Sequence, residues 1–105
     1  MKNVAVILSG CGFLDGAEIR ESVLTLLALD TEGVQYKIFA PNKEQHHVVN
    51  HFKGEEATGE SRNVLEESAR IARGAIDDLE NLNVDEFDAL VMPGGFGVAK
   101  NFSSF

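Results

Sequence analysis

At 105 residues, 44% hydrophobic and 25% charged, the chain has room for one soluble globular domain, spanning residues 1–105, and none for two. A formal net charge of -8 and an isoelectric point near 4.7 exclude nucleic acid and anionic membrane surfaces as partners, because either demands a concentrated positive face. One cysteine, Cys11, rules out an internal disulfide and any multi-cysteine zinc site; with no run near the roughly 18 apolar residues of a membrane span, it points to a cytoplasmic location.

In chain order, Val4-Ala5-Val6-Ile7-Leu8 is an unbroken β-branched and aliphatic run, the pattern of a strand covered on both faces in a parallel sheet. The same run is too short for the apolar region of a signal peptide. A glycine-rich loop follows, then a predicted helix from about Gly16 to Asp30. Ile19, Val23, Leu26 and Leu27 fall on its inner face, Arg20, Glu21 and Thr25 on the other, and Gly33 stops it. Val34 to Phe39 is the second strand, closed by Ala40-Pro41-Asn42. The segment His46 to Phe52 fits a short extension in either state, and Gly54 to Ser61 reads as a polar loop.

Asn63 with Glu66 three residues on reads as an N-cap opening a helix to about Arg73, with Leu65, Ala69 and Ala72 inward and Glu66 and Arg70 paired on the wet side. A weaker cap, Asn83 to Glu86, predicts one helical turn. Ala89 to Met92 is the last strand. Strands alternating with helices predict a three-layer αβα sandwich on a flavodoxin-like parallel sheet, with the first strand between the second and the Met92 strand. Ligands of such sheets bind where the strand order reverses, outside the carboxyl ends. That places the loops Ser9 to Asp15 and Pro93 to Gly97 across one crevice.

The stretch Leu90-Val91-Met92-Pro93-Gly94-Gly95-Phe96-Gly97 brings a strand into two adjacent glycines. Backbone N–H groups laid bare at a strand's carboxyl end can cradle negative charge developing on a substrate oxygen; a sharp turn after a buried strand is the plainer reading. Gly10-Cys11-Gly12-Phe13-Leu14-Asp15-Gly16 departs from the dinucleotide fingerprint. Its third glycine comes one position late, and Phe39-Ala40-Pro41 stands where a ribose-binding acid would end the second strand. Glu18 has two readings: the acid answering an Asp15 cap, or a carboxylate turned into the crevice to exchange a proton. Cys11 is the only thiol nucleophile on offer, in a turn where a helix N-terminus can lower a thiol pKa, although a lone cysteine also serves as a small hydrophobe. His46, His47 and His51 lack the further ligands a metal site needs and read as solvated or hydrogen-bonded side chains.

Taken together, Val6-Ile7-Leu8-Ser9-Gly10-Cys11-Gly12, Asp15-Gly16-Ala17-Glu18-Ile19, Phe39-Ala40-Pro41, Glu60-Ser61-Arg62-Asn63-Val64-Leu65, Ala69-Arg70-Ile71-Ala72-Arg73-Gly74 and Pro93-Gly94-Gly95-Phe96-Gly97-Val98-Ala99-Lys100-Asn101 resemble the ElbB branch of the PfpI/ThiJ superfamily along the whole chain. The resemblance implies the class I glutamine amidotransferase-like fold and a cofactor-free, metal-free glyoxalase-type lyase that turns a small aldehyde, glyoxal, into glycolate. It also implies a homodimer and carries an association with isoprenoid biosynthesis.

Glu18 matches the family's glutamate that touches the nucleophilic thiol, and Gly94 and Gly95 match its oxyanion donors. The family's nucleophilic cysteine lies beyond the Pro-Gly-Gly loop and past Phe105, and Cys11 does not match it. The expectation is therefore a fold incomplete at the C-terminus, ending on the apolar, uncapped Asn101 to Phe105, and a chain inactive alone. Glu18 stands as catalytic candidate, Gly94, Gly95 and Cys11 as substrate or oxyanion candidates. A non-enzymatic binding or regulatory module on the same fold is the alternative, and a thiol sensor through Cys11, requiring a depressed thiol pKa, a third.

Overall fold

The computed structural model describes residues 2–102, so the expected apolar ending lies outside the described residues from Ser103 onward. Its elements are β1 (Asn3–Ile7), α1 (Ile19–Thr31), β2 (Gln35–Ala40), β3 (Val49–Asn50), β4 (Glu55–Glu56), α2 (Val64–Ala72), β5 (Asp77–Asp78), two single 3-10 turns (Leu79–Asn81 and Val84–Glu86), β6 (Ala89–Val91) and α3 (Phe96–Phe102). β5, β2, β1 and β6 form one parallel sheet in that order, while β3 and β4 form a separate antiparallel hairpin. The α/β flavodoxin-like fold is the one expected, with β1 flanked by β2 and β6.

β1 occupies the middle because nothing in it needs water. Val4 to Ile7 and the following Leu8 and Ser9 are all buried, with Val6 and Leu8 at 0% exposure. Full burial of such a side chain contributes about 1.5–3 kcal/mol. Val4, Val6 and Leu8 join Ile38 of β2 in a cluster reached by Leu26 and Leu29 of α1, Ile71 and Ala72 of α2 and Val91 of β6, so α1 and α2 cover one face of the sheet. On the other face Phe87 meets the Phe39 ring edge-on at 5.8 Å.

α1 starts later than expected. The Glu18 side chain, not that of Asp15, caps it by accepting the Glu21 N–H at 2.9 Å. Its buried line is Ser22 with half-buried Leu26 and Leu29, whereas Ile19, Val23 and Leu27 are about half exposed. The 3.6 period located an apolar arc correctly but not which part of it meets the sheet. In α2 the Asn63 cap is as predicted, accepting the Glu66 N–H at 2.9 Å, but the buried line is Val64, Ser68 and Ala72. Arg70 pairs with Glu67, three residues before it, at 3.3 Å instead of Glu66, and Glu67 also lies 3.7 Å from Arg62. The extension after His46 is the β3–β4 hairpin, and the turn capped by Asn83 is of 3-10 form.

Candidate functional site

β1 and β6 are adjacent and parallel, in register from Val4 opposite Ala89 to Val6 opposite Val91. Their following loops therefore emerge at the same end of the sheet, where the chain order reverses around β1. Rather than facing each other across an open crevice, the two loops are stitched together. Phe96 donates its N–H to the Phe13 carbonyl at 2.8 Å, Gly97 to Gly16 at 3.0 Å, and Glu18 to Gly94 at 2.7 Å.

So close an approach is possible only between glycines. A Cβ on Gly97 would stand 2.3 Å from the Gly16 Cα, and one on Gly95, at φ +123, would stand 2.3 Å from the Gly16 carbonyl oxygen.

The fourth stitch is the chemically informative one. Gly94 donates its backbone N–H to Glu21 Oε1 at 3.0 Å. Glu21 was assigned by periodicity to the outer side of the helix. It lies in the first turn of α1, three residues after the Glu18 cap, and so reaches the Pro93–Gly95 loop while Glu18 is engaged with the helix's own N–H. Its signal in the sequence was the second acid of the Glu18, Glu21 pair, which the capping reading of Glu18 should have released for the site. The Gly95 N–H has no hydrogen-bond partner among the described residues. One carboxylate fixed by a backbone amide, beside one unengaged amide, can hold a proton near a substrate oxygen that the second amide polarises.

Cys11 belongs to different surroundings. Burial raises its thiol pKa above the ordinary value, the Glu67 carboxylate raises it further, and Arg70 offsets part of this. Its charged neighbours are thus Glu67 and Arg70 of α2 and Asp15, not Glu18 or Glu21. Burial and Glu67 push the thiol in the direction opposite to the depression that a Cys11 sensor requires.

Asp15 is buried and accepts the Val49 N–H at 2.7 Å, which ties the β3–β4 hairpin to the β1 loop. His51 Nε2 lies 3.3 Å from the Leu14 nitrogen and 3.7 Å from Asp15 Oδ1, and Nδ1 lies 3.1 Å from the Val49 carbonyl oxygen, so the ring joins the β1 loop to the hairpin. His47 points elsewhere, 3.9 Å from Glu56. Among the described residues no three His, Cys, Asp or Glu side chains are grouped to hold a metal ion.

Asn101 was missed as a structural residue. At 1% exposure, it accepts the His46 N–H at 2.9 Å and donates to the Ser9 and Asp15 carbonyls at 2.9 and 3.3 Å, holding both sides of the β1 loop to α3. A cavity of about 710 Å³ lies at the other edge of the sheet, between Leu26 of α1, Tyr36 and Ile38 of β2 and Ile71 of α2, and includes neither glycine loop.

A parallel sheet in this order, flanked by helices and carrying its conspicuous loop after the strand beside β1, has the class I amidotransferase-like fold. The crystal structure of an isoprenoid biosynthesis protein with amidotransferase-like domain from Ehrlichia chaffeensis superposes with a TM-score of 0.95 at 60% identity, over 100% of this chain and 49% of that one. The chain is 56% identical over 102 residues to the human (Homo sapiens) protein glutamine amidotransferase-like class 1 domain-containing protein 3, mitochondrial, a match taking in 97% of this chain and 38% of that protein. It is 54% identical over 102 residues to the ES1 protein homolog, mitochondrial, of Rattus norvegicus, over 97% of this chain and 38% of the relative. With the ES1 protein, mitochondrial, of Danio rerio the identity is 42% over 107 residues, 98% of this chain and 40% of the relative.

The chain thus spans about two fifths of the length of these curated relatives and about half of the solved one. No protein-family model matches it. The mitochondrial names of the relatives overturn the cytoplasmic location drawn from the single cysteine, since one unpaired thiol fits any reducing compartment and distinguishes none.

Proposed function

We propose that the Pro93–Gly95 loop and Glu21 form the proton-handling and oxyanion part of a cofactor-free, glyoxalase-type site acting on a small aldehyde. The observation that carries this reading is the Glu21 carboxylate 3.0 Å from the Gly94 N–H, next to the unengaged Gly95 N–H. Conversion of glyoxal and water into glycolate oxidises one carbonyl carbon to the carboxylate level and reduces its neighbour to an alcohol. No external oxidant is consumed: water adds to one aldehyde to give a gem-diol, loss of that carbon's proton leaves its electron pair in an enediolate, and protonation of the neighbouring carbon yields the alcohol beside the carboxylic acid, so the protein has to carry a proton between the two carbons and stabilise the enediolate oxygen. A carboxylate held by a backbone amide serves the first need and a bare amide the second. Cys11 is not the nucleophile in this reading: burial and Glu67 favour its protonated thiol, and its charged neighbours are Glu67, Arg70 and Asp15, not Glu21. The catalytic role first given to Glu18 passes to Glu21, because Glu18's carboxylate is engaged as a helix cap.

The reading is tested in a chimaera in which this chain replaces the stretch it matches in the Ehrlichia chaffeensis protein. Glycolate formation from glyoxal is expected, with kcat lowered about 100-fold or more by Glu21→Gln and changed only a few-fold by Glu18→Gln, which keeps a capping oxygen. Undiminished turnover in Glu21→Gln, or no glycolate from the chimaera, overturns it. So does turnover by the 105-residue chain alone that Cys11→Ala abolishes.

A further inference from the structure

Away from the glycine loops, the helix-covered face of the sheet is open along its β5 edge. β5 pairs with β2 only at Phe39 and Ala40, so among the described residues Gln35 to Ile38 have no strand on their outer side. The space left there is the cavity of about 710 Å³, within the roughly 300–1,000 Å³ of small-molecule sites. Its floor is apolar: Ile38 from β2, Leu26 from α1, Ile71 from α2 and Ile76 from the turn that follows. Ile38 is buried and the other three are half-buried.

The rim carries charge, most of it already engaged. Tyr36 shares a side-chain hydrogen bond with Asp30. Asp77 accepts from Asn81 Nδ2 at 2.9 Å and from the Asp78 N–H at 2.7 Å, with Lys37 as its cationic neighbour. Glu86 comes from the other face of the sheet, next to the Phe87 that packs on Phe39. Arg73 is the exception. It lines the cavity as the C-cap of α2, yet its guanidinium has no ion pair or hydrogen bond among the described residues. At φ 55 and ψ 41 it holds the left-handed conformation that glycine adopts freely and a residue with a Cβ does not. Glycine would make the more stable cap, so the fold keeps a cation at the cavity at the expense of its own backbone.

We propose that this cavity binds a small amphipathic monocarboxylate, its carboxylate paired with the Arg73 guanidinium and its aliphatic chain laid over Leu26, Ile38, Ile71 and Ile76. A guanidinium matches a carboxylate through two parallel hydrogen bonds, and the apolar floor gives each buried methylene a favourable transfer from water. Asp30, Asp77 and Glu86 restrict the head to a single negative charge, because a diphosphate brought to the same rim would be repelled by their carboxylates. The inference is independent of the aldehyde chemistry proposed above, since the cavity includes neither glycine loop.

The test titrates the 105-residue chain with octanoate, butyrate and octylammonium and follows the backbone amide resonances. Octanoate is expected to saturate with its largest shifts at Ile38, Ile71 and Ile76, and butyrate, shorter by several methylenes, to bind about tenfold or more weakly. Arg73→Gly removes the guanidinium and relieves the left-handed backbone, so this variant should melt higher than the parent while losing octanoate affinity about tenfold or more. Arg20→Gln, at an exposed position of α1 outside the cavity, should bind octanoate as the parent does. Absence of saturable octanoate binding overturns the proposal, as do undiminished affinity in Arg73→Gly and shifts centred on the Pro93–Gly97 loop. Octylammonium bound as tightly as octanoate also overturns it, by assigning the cavity to its carboxylates.

Discussion

Gly94 and Glu21, 73 positions apart, are joined by a backbone-to-carboxylate hydrogen bond of 3.0 Å that closes a ring with Glu18: Glu18 N–H to Gly94 carbonyl, Gly94 N–H to Glu21, and Glu21 N–H to Glu18 carboxylate. The ring couples the first turn of α1 to the loop after β6, so its loss should be felt first in that loop. Glu21→Ala is expected to speed exchange of the Gly94 amide about tenfold while lowering global stability by only about 1 kcal/mol, since the carboxylate is solvent-exposed. Glu21→Gln, which retains an acceptor oxygen, should restore most of the protection. Residue-resolved hydrogen exchange measures both, and unchanged Gly94 exchange in the alanine variant would refute the coupling.

The glycines make a graded series. Gly95→Ala must relieve a Cβ 2.3 Å from the Gly16 carbonyl oxygen and 2.7 Å from the Glu18 nitrogen, at φ +123, and should cost about 3 kcal/mol or more. Gly59→Ala meets open space at φ +87 and bears only the left-handed backbone cost of about 1 kcal/mol. Urea unfolding of the two variants separates a close approach from a turn. Equal losses would mean that the Gly95–Gly16 contact is not maintained in solution.

Much of this arrangement was legible in the sequence. Val4 to Leu8 declared a doubly covered strand, and the β-α-β order made its neighbour parallel; the expectation of a flavodoxin-like strand order, which puts β1 between β2 and β6 and the glycine loop at the point of reversal, is the one observed. What stayed hidden depended on contacts between segments far apart in sequence. Periodicity puts Glu21 across the helix from Val23, but only the packing of α1 against the β6 loop determines that this side reaches Gly94. Asn101 read as part of an apolar ending, and only the return of α3 over the β1 loop makes it a buried clamp on Ser9, Asp15 and His46. Ile19, Val23 and Leu27 share an apolar stripe with no signal that Ser22 takes the buried position beside them.

Asn101→Ala should accordingly be among the most damaging polar substitutions. It removes a donor from two carbonyls and an acceptor from the His46 N–H at a site of 1% exposure, for an expected loss of about 3 kcal/mol. Asn101→Asp keeps the shape but puts a carboxylate oxygen against the Ser9 and Asp15 carbonyls, and should lose at least as much. Thermal unfolding of the pair checks this, and a loss below about 1 kcal/mol in Asn101→Ala would show that water replaces the clamp.

Cys11 provides the final prediction, and it has a definite sign. Burial, then Glu67, raise the thiol pKa above its ordinary value of 9.0, with Arg70 opposing and Asp15 adding to the rise. At neutral pH the thiolate fraction is therefore smaller than in a free thiol, and iodoacetamide should react more slowly than with a model thiol. Glu67→Gln should speed the reaction and Arg70→Ala slow it further. The folded state holds this proton more tightly than the unfolded one, so the corresponding stability is present in full below the unfolded thiol pKa and is lost as pH rises through the folded value. Denaturant unfolding across pH 8 to 10 should show that loss in the parent and a smaller one in Cys11→Ser, which does not titrate in that range. A Cys11 that alkylates faster than the model thiol would reverse the sign and return it to consideration as a nucleophile.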